Sequence, residues 1–130
     1  MVKITRHALE SALHGAKELH PDEFLCVFAS DDGSVFDRIL LTPLADYGPT
    51  HASFNDYFMP TGGFKASFHS HPNGVLQPSR QDLTLFSAKG AFHAIAGPPY
   101  TKQNLVFFDK QGKKVEFTPE KDGSVTLQYQ

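Results

Sequence analysis

The sequence predicts a fold of the α/β (α+β) class, in which a mixed, mostly antiparallel β-sheet is flanked by two helices. Residues 5–19 repeat apolar side chains at helical spacing, and a second helical pattern begins after residue 79. Residues 24–29 and 92–96 are short apolar runs typical of strands. With 130 residues, the chain is long enough for one hydrophobic core and too short for two ordinary domains. We therefore expect a single domain over residues 1–130.

The first helix is expected over residues 5–19. Thr5 is suited to cap the free backbone N–H groups at its start, and Pro21 lies just past its end. Six apolar residues fall on one stripe of this helix, which predicts packing against a sheet. They are Ala8, Leu9, Ala12, Leu13, Ala16 and Leu19.

The next segment predicts a buried strand and a hairpin. Residues 24–29 form a continuous apolar run, as expected for a strand buried on both faces. Turn-forming residues at 31–34 predict a returning strand over 35–44. Residues 46–63 contain scattered glycine and proline and predict a loop-rich stretch with one short strand near 51–55. The aromatic side chains of this stretch either pack under the loop or form the lip of a substrate groove.

The second half of the chain predicts one helix and several strands. Apolar residues at helical spacing follow position 79, and Gly90 is suited to end this second helix. Its apolar residues are Leu83, Leu85, Phe86 and Ala88. Strands are expected at 64–68, 92–96, 105–108, 115–118 and 125–129. The last of these is expected at an edge of the sheet.

Composition and charge exclude several classes of protein. A formal charge of −2 and a pI near 6.4 argue against a nucleic-acid-binding role, which requires a basic face. A single cysteine, Cys26, rules out an internal disulfide framework, and the first residues show a helical pattern in place of a secretory signal. No apolar run approaches the roughly 20 residues needed to span a bilayer. We expect a cytoplasmic protein that binds neither nucleic acid nor membrane.

A group of polar residues lies between the strand at 64–68 and the second helix. The order is His69, one residue, His71, seven residues, Ser79, two residues, and Asp82. Side chains two apart in an extended segment project to the same side, so both histidines can direct imidazole nitrogens at one metal ion. Asp82 would lie one turn into the helix and face back toward the strand.

The residue types in this group favour zinc. Two imidazoles and one carboxylate suit Zn²⁺, and no thiolate lies nearby to fill its coordination shell. Structural zinc sites usually have four protein ligands, whereas three leave a position for water and favour a catalytic site. We therefore expect one zinc ion per chain, held by His69, His71 and Asp82.

Each of these residues also has a purely structural interpretation. A histidine pair at a strand end is more commonly packed in the core or exposed at the surface than bound to metal. Ser79 and Asp82 have the spacing of a capping box at a helix start. The two interpretations of Ser79 and Asp82 are compatible, because Ser79 can begin the helix while Asp82 turns toward the metal.

The other histidines and the cysteine are weaker candidates. His93 lies in an apolar strand and is expected to be a hydrogen-bonded core residue rather than a partner of a metal ligand. Cys26 lies in an apolar run that would raise its pKa, which argues against a nucleophile. The remaining histidines have no spacing that implicates them. They are His7, His14, His20 and His51.

The polar motif resembles that of the JAMM (MPN-plus) metallopeptidases. Members of this family carry an upstream glutamate, then His-x-His-Pro, and then Ser-x-x-Asp with seven residues between the second histidine and the serine. Every spacing after the first histidine matches here, and Glu23 stands in the place of the upstream glutamate. The resemblance covers roughly residues 3–118 and is closest to small prokaryotic single-domain members.

The resemblance implies a fold and two further roles. The fold would be of the MPN type, related to that of cytidine deaminases, with a curved sheet. Glu23 would act as general base toward a water whose pKa zinc lowers from 15.7 to about 7. Asp22 is the rival candidate, and only the resemblance selects Glu23. Ser79 would donate a hydrogen bond to the oxyanion of the tetrahedral intermediate.

The resemblance also implies a substrate class. It predicts a zinc-dependent isopeptidase that cleaves the amide between the C-terminal glycine of a ubiquitin-like small modifier and a lysine. One alternative is removal of a short C-terminal extension from a sulfur-carrier or ubiquitin-like protein. Another is a non-catalytic MPN scaffold module, although such modules generally lack part of the metal-binding set that this chain retains.

Overall fold

The structure is a computed structural model that describes residues 1–41, 46–47, 52–53, 63–79 and 91–128. Within these ranges the chain forms one α-helix and twelve strands. The first elements are β1 (Val2–Ile4), α1 (Arg6–Leu19), β2 (Leu25–Ser30), β3 (Val35–Phe36), β4 (Arg38–Leu40), β5 (Asp46–Tyr47) and β6 (Ala52–Ser53). The others are β7 (Phe64–Ser70), β8 (His93–Ala96), β9 (Leu105–Phe108), β10 (Lys114–Val115), β11 (Phe117–Pro119) and β12 (Val125–Leu127).

The strands form two main sheets. The larger has six strands in the order β10-β9-β8-β7-β2-β4, and the smaller has four in the order β11-β12-β1-β3. In the larger sheet β7 and β8 are parallel, and the other neighbours are antiparallel. In the smaller sheet the β1–β3 pair is parallel. This arrangement confirms the predicted mixed, mostly antiparallel architecture.

Helix α1 begins and ends close to where the sequence predicts. The Thr5 hydroxyl accepts the backbone N–H of Ala8 at 3.2 Å, which confirms its capping role. At the other end, the N–H of His20 donates to the carbonyl of Ala16 at 3.1 Å. Five residues of the predicted stripe are buried, but Leu19 is 36% exposed because it lies in the last turn. The buried residues are Ala8, Leu9, Ala12, Leu13 and Ala16.

The core is formed by α1 together with residues of both main sheets. Every residue of β2 is buried, as predicted for a strand covered on both faces. Cys26 and Phe28 face the main core beneath α1, whereas Leu25 and Val27 alternate to the opposite face. Edge-to-face contacts connect Phe28 to Phe68, with 5.8 Å between ring centroids. The centre of the sheet is therefore a rigid support for residues at the strand ends.

Three predictions about the strands were wrong. The strand expected over 115–118 is divided between β10 of the larger sheet and β11 of the smaller sheet. The returning strand expected over 35–44 is divided, because the chain passes from one sheet to the other at Asp37. Strand β3 pairs with β1, and β4 pairs with β2. The last strand, β12, is not at an edge, since it lies between β11 and β1. Strand β1 was not predicted, because three residues are too few to show a period.

Several predictions concern residues that the structure leaves undescribed. The second helix, with Leu83 to Gly90, lies outside the described residues, as does most of the loop-rich stretch over 46–63. Ala52–Ser53 forms a short strand within the expected range of 51–55. Among the described residues, the helix is too short and too polar to cross a membrane.

Candidate metal centre

Both histidines of the motif lie at the end of β7, at the centre of the six-stranded sheet. The Nε2 atoms of His69 and His71 are 3.1 Å apart, and their ring centroids are 4.9 Å apart. This convergence follows from strand geometry, because residues two apart project to one side of the sheet. The structure therefore brings together the two imidazoles that the spacing paired.

The backbone carbonyl of Val75 determines the tautomer of His71. It lies 2.7 Å from Nδ1 of His71. A carbonyl oxygen can only accept, so Nδ1 carries the proton and Nε2 of the neutral ring presents its lone pair. Metal-binding histidines commonly donate their other ring N–H to a backbone carbonyl in this way. The second nitrogen of His71 is thus prepared to act as a ligand.

A tight turn places that carbonyl. The side-chain oxygen of Asn73 accepts the N–H of Val75 at 3.0 Å, and the N–H of Gly74 donates to the carbonyl of His71 at 2.9 Å. Gly74 has a φ of 80°, which a residue with a Cβ rarely adopts. This turn thereby directs the carbonyl of Val75 at the His71 ring.

Main-chain hydrogen bonds hold the histidines against the neighbouring strand. In the parallel pair β7–β8, His69 is opposite Ile95, and the N–H of His71 donates to the carbonyl of Ala96 at 2.8 Å. His69 is 4% exposed, while His71 is partly exposed. The site therefore lies at the boundary between the core and the surface, where an ion and a substrate can reach it.

The donor set fits zinc. Two imidazole nitrogens bound to one zinc ion at about 2.0–2.1 Å are roughly 3.3 Å apart at a tetrahedral angle. The measured separation of 3.1 Å between the Nε2 atoms of His69 and His71 is close to that value. Neutral imidazoles are also among the ligands that zinc prefers.

The third expected ligand, Asp82, lies outside the described residues. Within the described ranges, no group of three or more histidine, cysteine, aspartate or glutamate residues could hold a metal ion. Two imidazoles do not complete a zinc shell, so the assignment of Asp82 as the third ligand stays a prediction.

The pairing of β2 with β7 brings the residues that follow Glu23 beside the histidine motif. Leu25 is opposite His69, and the N–H of Ser70 donates to the carbonyl of Phe24 at 2.9 Å. Glu23, the residue before Phe24, is partly buried and lies just outside the paired strands. Its position beside the two imidazoles therefore stays a prediction.

The other two candidates from the sequence lie in different surroundings. Asp22, the rival of Glu23, belongs to the turn that follows α1, where its N–H donates to the carbonyl of Leu19 at 2.7 Å. Ser79 is exposed and is the last described residue before a gap, so its role toward an oxyanion stays a prediction.

The structure confirms the expectations for His93 and Cys26. His93 is fully buried, and its Nδ1 lies 2.6 Å from the hydroxyl of Ser67 on the neighbouring strand. It is a hydrogen-bonded core residue. Cys26 is fully buried as well, and burial raises the pKa of its thiol. A protonated, inaccessible thiol is a poor nucleophile.

Sequence reasoning missed two residues that contact the segment carrying Glu23. The buried hydroxyl of Ser70 accepts the N–H of Phe24 at 2.8 Å. The hydroxyl of Tyr100 lies 2.6 Å from Nδ1 of His20. Ser70 lies between the two histidines and alternates toward the core, and this pattern was a signal for its contact with Phe24. The second joins residues 80 positions apart and left no local signal.

The fold and the paired imidazoles define an α+β protein with a candidate zinc centre at the end of its central strands. Residues 5–109 match the model of prokaryotic homologs of the JAB domain. The chain therefore belongs to the prokaryotic JAB (JAMM/MPN) family, as the motif predicted.

Known relatives agree with this assignment. A protein of Haloferax volcanii named as a probable metalloprotease is 35% identical, and the match covers 87% of this chain and 76% of that one. A JAB1/MPN domain protein from Archaeoglobus fulgidus matches with a TM-score of 0.68 and 31% identity, over 89% of this chain and 95% of that one. A structure described as a JAMM metalloprotease-like zinc site in the proteasome and signalosome matches with a TM-score of 0.66 and 30% identity, over 89% and 94%. These findings support a metalloprotease-like protein with a zinc site.

Proposed function

We propose that this protein is a zinc-dependent isopeptidase that cleaves the amide between the C-terminus of a ubiquitin-like small modifier and a lysine. The observation that carries the proposal is the 3.1 Å separation of the Nε2 atoms of His69 and His71, with the tautomer of His71 set by Val75. Membership of the JAB family supports protease chemistry. The substrate class rests on the resemblance to JAMM metallopeptidases.

The metal would be held by His69, His71 and Asp82. When bound, a zinc ion polarises the scissile carbonyl and lowers the pKa of a coordinated water. The neutral imidazoles contribute lone pairs, and the Asp82 carboxylate contributes a negative charge that suits a divalent cation. Of these three residues, the two histidines have the supporting geometry described above.

Glu23 would move the proton. A carboxylate on the same face as the two histidines can accept a proton from the attacking water and deliver it to the lysine amine that leaves. The pairing of β2 with β7, which begins two residues after Glu23, supports this role. Asp22 is less suited, because it lies in the turn after α1.

Ser79 would stabilise the oxyanion that forms during attack. A hydroxyl aimed at the developing negative charge contributes about 3–4 kcal/mol to lowering such barriers. The proposal for Ser79 is supported by its position in the motif, with seven residues between it and His71.

One edge of the six-stranded sheet would receive the tail of the modifier. Among the described residues, strand β4 lies at this edge and pairs with β2, the strand that begins two residues after Glu23. Leu41, just past β4, is 60% exposed. An extended tail that adds to a sheet edge gains backbone hydrogen bonds as well as side-chain contacts.

We propose a cytoplasmic location as well, in keeping with a single, buried cysteine.

Two substrates test this function. The purified protein is loaded with zinc and incubated with a lysine-linked conjugate of a ubiquitin-like protein and, separately, with a precursor extended at its C-terminus. We expect cleavage of the conjugate, and in Glu23→Gln a fall of the rate to a low residual level with zinc retained. Cleavage of the precursor alone would replace isopeptidase activity with C-terminal processing. Turnover of neither substrate by the zinc-loaded protein would favour a non-catalytic scaffold.

A further inference from the structure

Ser70 lies between the two histidines but faces the opposite side of the sheet. Its side chain is fully buried, and its hydroxyl accepts the N–H of Phe24 at 2.8 Å. Its own N–H donates to the carbonyl of Phe24 at 2.9 Å. One residue therefore binds both backbone polar groups of Phe24, the neighbour of Glu23. Backbone groups held at both ends have little freedom to shift.

The ring of Phe24 is held as firmly as its backbone. It packs on α1 at Gly15, where an added Cβ would come 2.5 Å from the ring. On its other side it contacts Phe68 edge to face, with ring centroids 6.1 Å apart. The residue after Glu23 is thus immobilised by backbone hydrogen bonds and by close packing.

A separate contact holds the chain before Glu23. Nδ1 of His20 lies 2.6 Å from the hydroxyl of Tyr100, and the two rings meet edge to face with centroids 5.6 Å apart. Tyr100 is 5% exposed, and its N–H donates to the carbonyl of Gly97 at 2.8 Å. Burial raises the pKa of Tyr100, so the hydroxyl keeps its proton at neutral pH.

We infer that Ser70 and the His20–Tyr100 pair are positioning residues that fix the main chain on both sides of Glu23. Together they keep the Glu23 carboxylate at the histidine pair, although neither touches the reacting atoms. The inference rests on the proposed function, in which Glu23 moves the proton. It matters energetically because a displacement of about 1 Å in a catalytic group can cost about 100-fold in rate.

The test compares substitutions of two buried serines of β7, Ser70 and Ser67, and of Tyr100. Ser70→Ala removes the contact with Phe24, and Ser70→Thr keeps a hydroxyl. Ser67→Ala is the matched control, because Ser67 is also buried in β7 but bonds to His93 instead of the Glu23 segment. Tyr100→Phe removes only the second contact and tests the inference independently if Ser70→Ala does not fold. Each variant is made with Glu23 and with Glu23→Gln.

Five quantities are measured on zinc-loaded protein. They are zinc content, thermal midpoint, hydrogen exchange of the Phe24 amide, and kcat and KM on a fluorogenic peptide whose C-terminal glycine is linked to a lysine side chain. We expect Ser70→Ala to lower kcat about 10–100-fold with zinc content and KM unchanged, and to speed exchange at Phe24. Ser70→Thr should recover most of the rate, and Tyr100→Phe should lose about tenfold. Ser67→Ala should lower only the thermal midpoint.

The Glu23→Gln background separates positioning from general stability. If Ser70 acts through Glu23, Ser70→Ala has no further effect on kcat once Glu23 is glutamine. An equal loss in both backgrounds would overturn the inference, as would a wild-type kcat in Ser70→Ala. If Glu23→Gln has low activity while Ser70→Ala and Tyr100→Phe keep full activity, this inference is overturned and the proposed role of Glu23 stands. Full activity of Glu23→Gln would overturn the proposed role of Glu23 and this inference with it.

Discussion

Nδ1 of His71 and the carbonyl oxygen of Val75 are 2.7 Å apart, and this contact determines which nitrogen of His71 faces the candidate metal centre. The turn that holds Val75 is four residues from the ring it orients, so ligand and support come from one short segment. Loss of the contact would leave His71 free to adopt the other tautomer, with a proton on the nitrogen that should bind metal.

The turn should therefore control zinc affinity. Gly74→Ala places a side chain at φ 80°, with no heavy atom within 4 Å, so the change acts through backbone strain alone. We expect zinc to bind about 10–100-fold more weakly, measured by competition with a chelator. Gly112→Ala, at φ 83° in the turn before β10, is the control and should lower stability with no effect on zinc affinity. Equal zinc affinity in Gly74→Ala and wild type would contradict the role of the turn.

The zinc content of purified variants should distinguish the three metal ligands from a histidine that does not bind the metal. His69→Ala, His71→Ala and Asp82→Ala are each expected to be purified with little or no zinc, because two remaining ligands bind weakly. His93→Gln should retain zinc, since His93 bonds to Ser67 in the core. Elemental analysis of the purified variants measures this directly, and zinc bound stoichiometrically by Asp82→Ala would show that another residue is the third ligand.

Removal of zinc should lower the stability of the folded protein. An ion that binds only the native state adds about 2.7 kcal/mol when its free concentration is 100 times its Kd. We expect the thermal midpoint to rise with zinc concentration in the wild type. In His69→Ala the midpoint should be independent of zinc, and a rise equal to that of the wild type would place the bound zinc elsewhere.

The contact of Phe24 with α1 should make Gly15 intolerant of substitution. In Gly15→Ala the new Cβ would lie 2.5 Å from the Phe24 ring. Overpacking costs about 1–3 kcal/mol, and replacing a helical glycine returns at most about 1 kcal/mol. We expect a net loss in the free energy of unfolding, measured with urea. In a Phe24→Leu background the same substitution should be neutral or stabilising, and a loss of equal size there would show that the ring is not the cause.

Cys26 should make stability depend on alkaline pH. Burial holds the pKa of its thiol far above the ordinary value of 9.0, so the folded protein keeps the proton while the unfolded chain releases it above about pH 9. The stability that this protonated thiol contributes is complete below pH 9 and is lost as pH rises, by about 1.4 kcal/mol per pH unit.

The measurement is a comparison of wild type with Cys26→Ala by urea unfolding at pH 8 and pH 10. Between these values the wild type should lose about 1.4 kcal/mol more than the variant, because the unfolded thiol is one unit above its pKa at pH 10. An identical pH dependence of the two proteins would show that Cys26 ionises in the folded state.

The sequence by itself determined the features that depend on neighbouring residues. The stripe of α1, the buried run of β2 and the convergence of His69 and His71 follow from the geometry of helices and strands, which repeats over a few residues. The contact of the Val75 carbonyl with Nδ1 of His71 is local as well, since the two residues are four positions apart.

Only the tertiary structure decided which distant segments meet. The pairing of β2 with β7 brings the residues that follow Glu23 beside the histidine motif, and Ser70 and Tyr100 contact this segment from 46 and 80 positions away along the chain. It also decided that residues 35–40 divide between two sheets. Strand pairing and buried polar contacts depend on the whole arrangement of the core, and a periodic pattern in one segment carries no record of its partner.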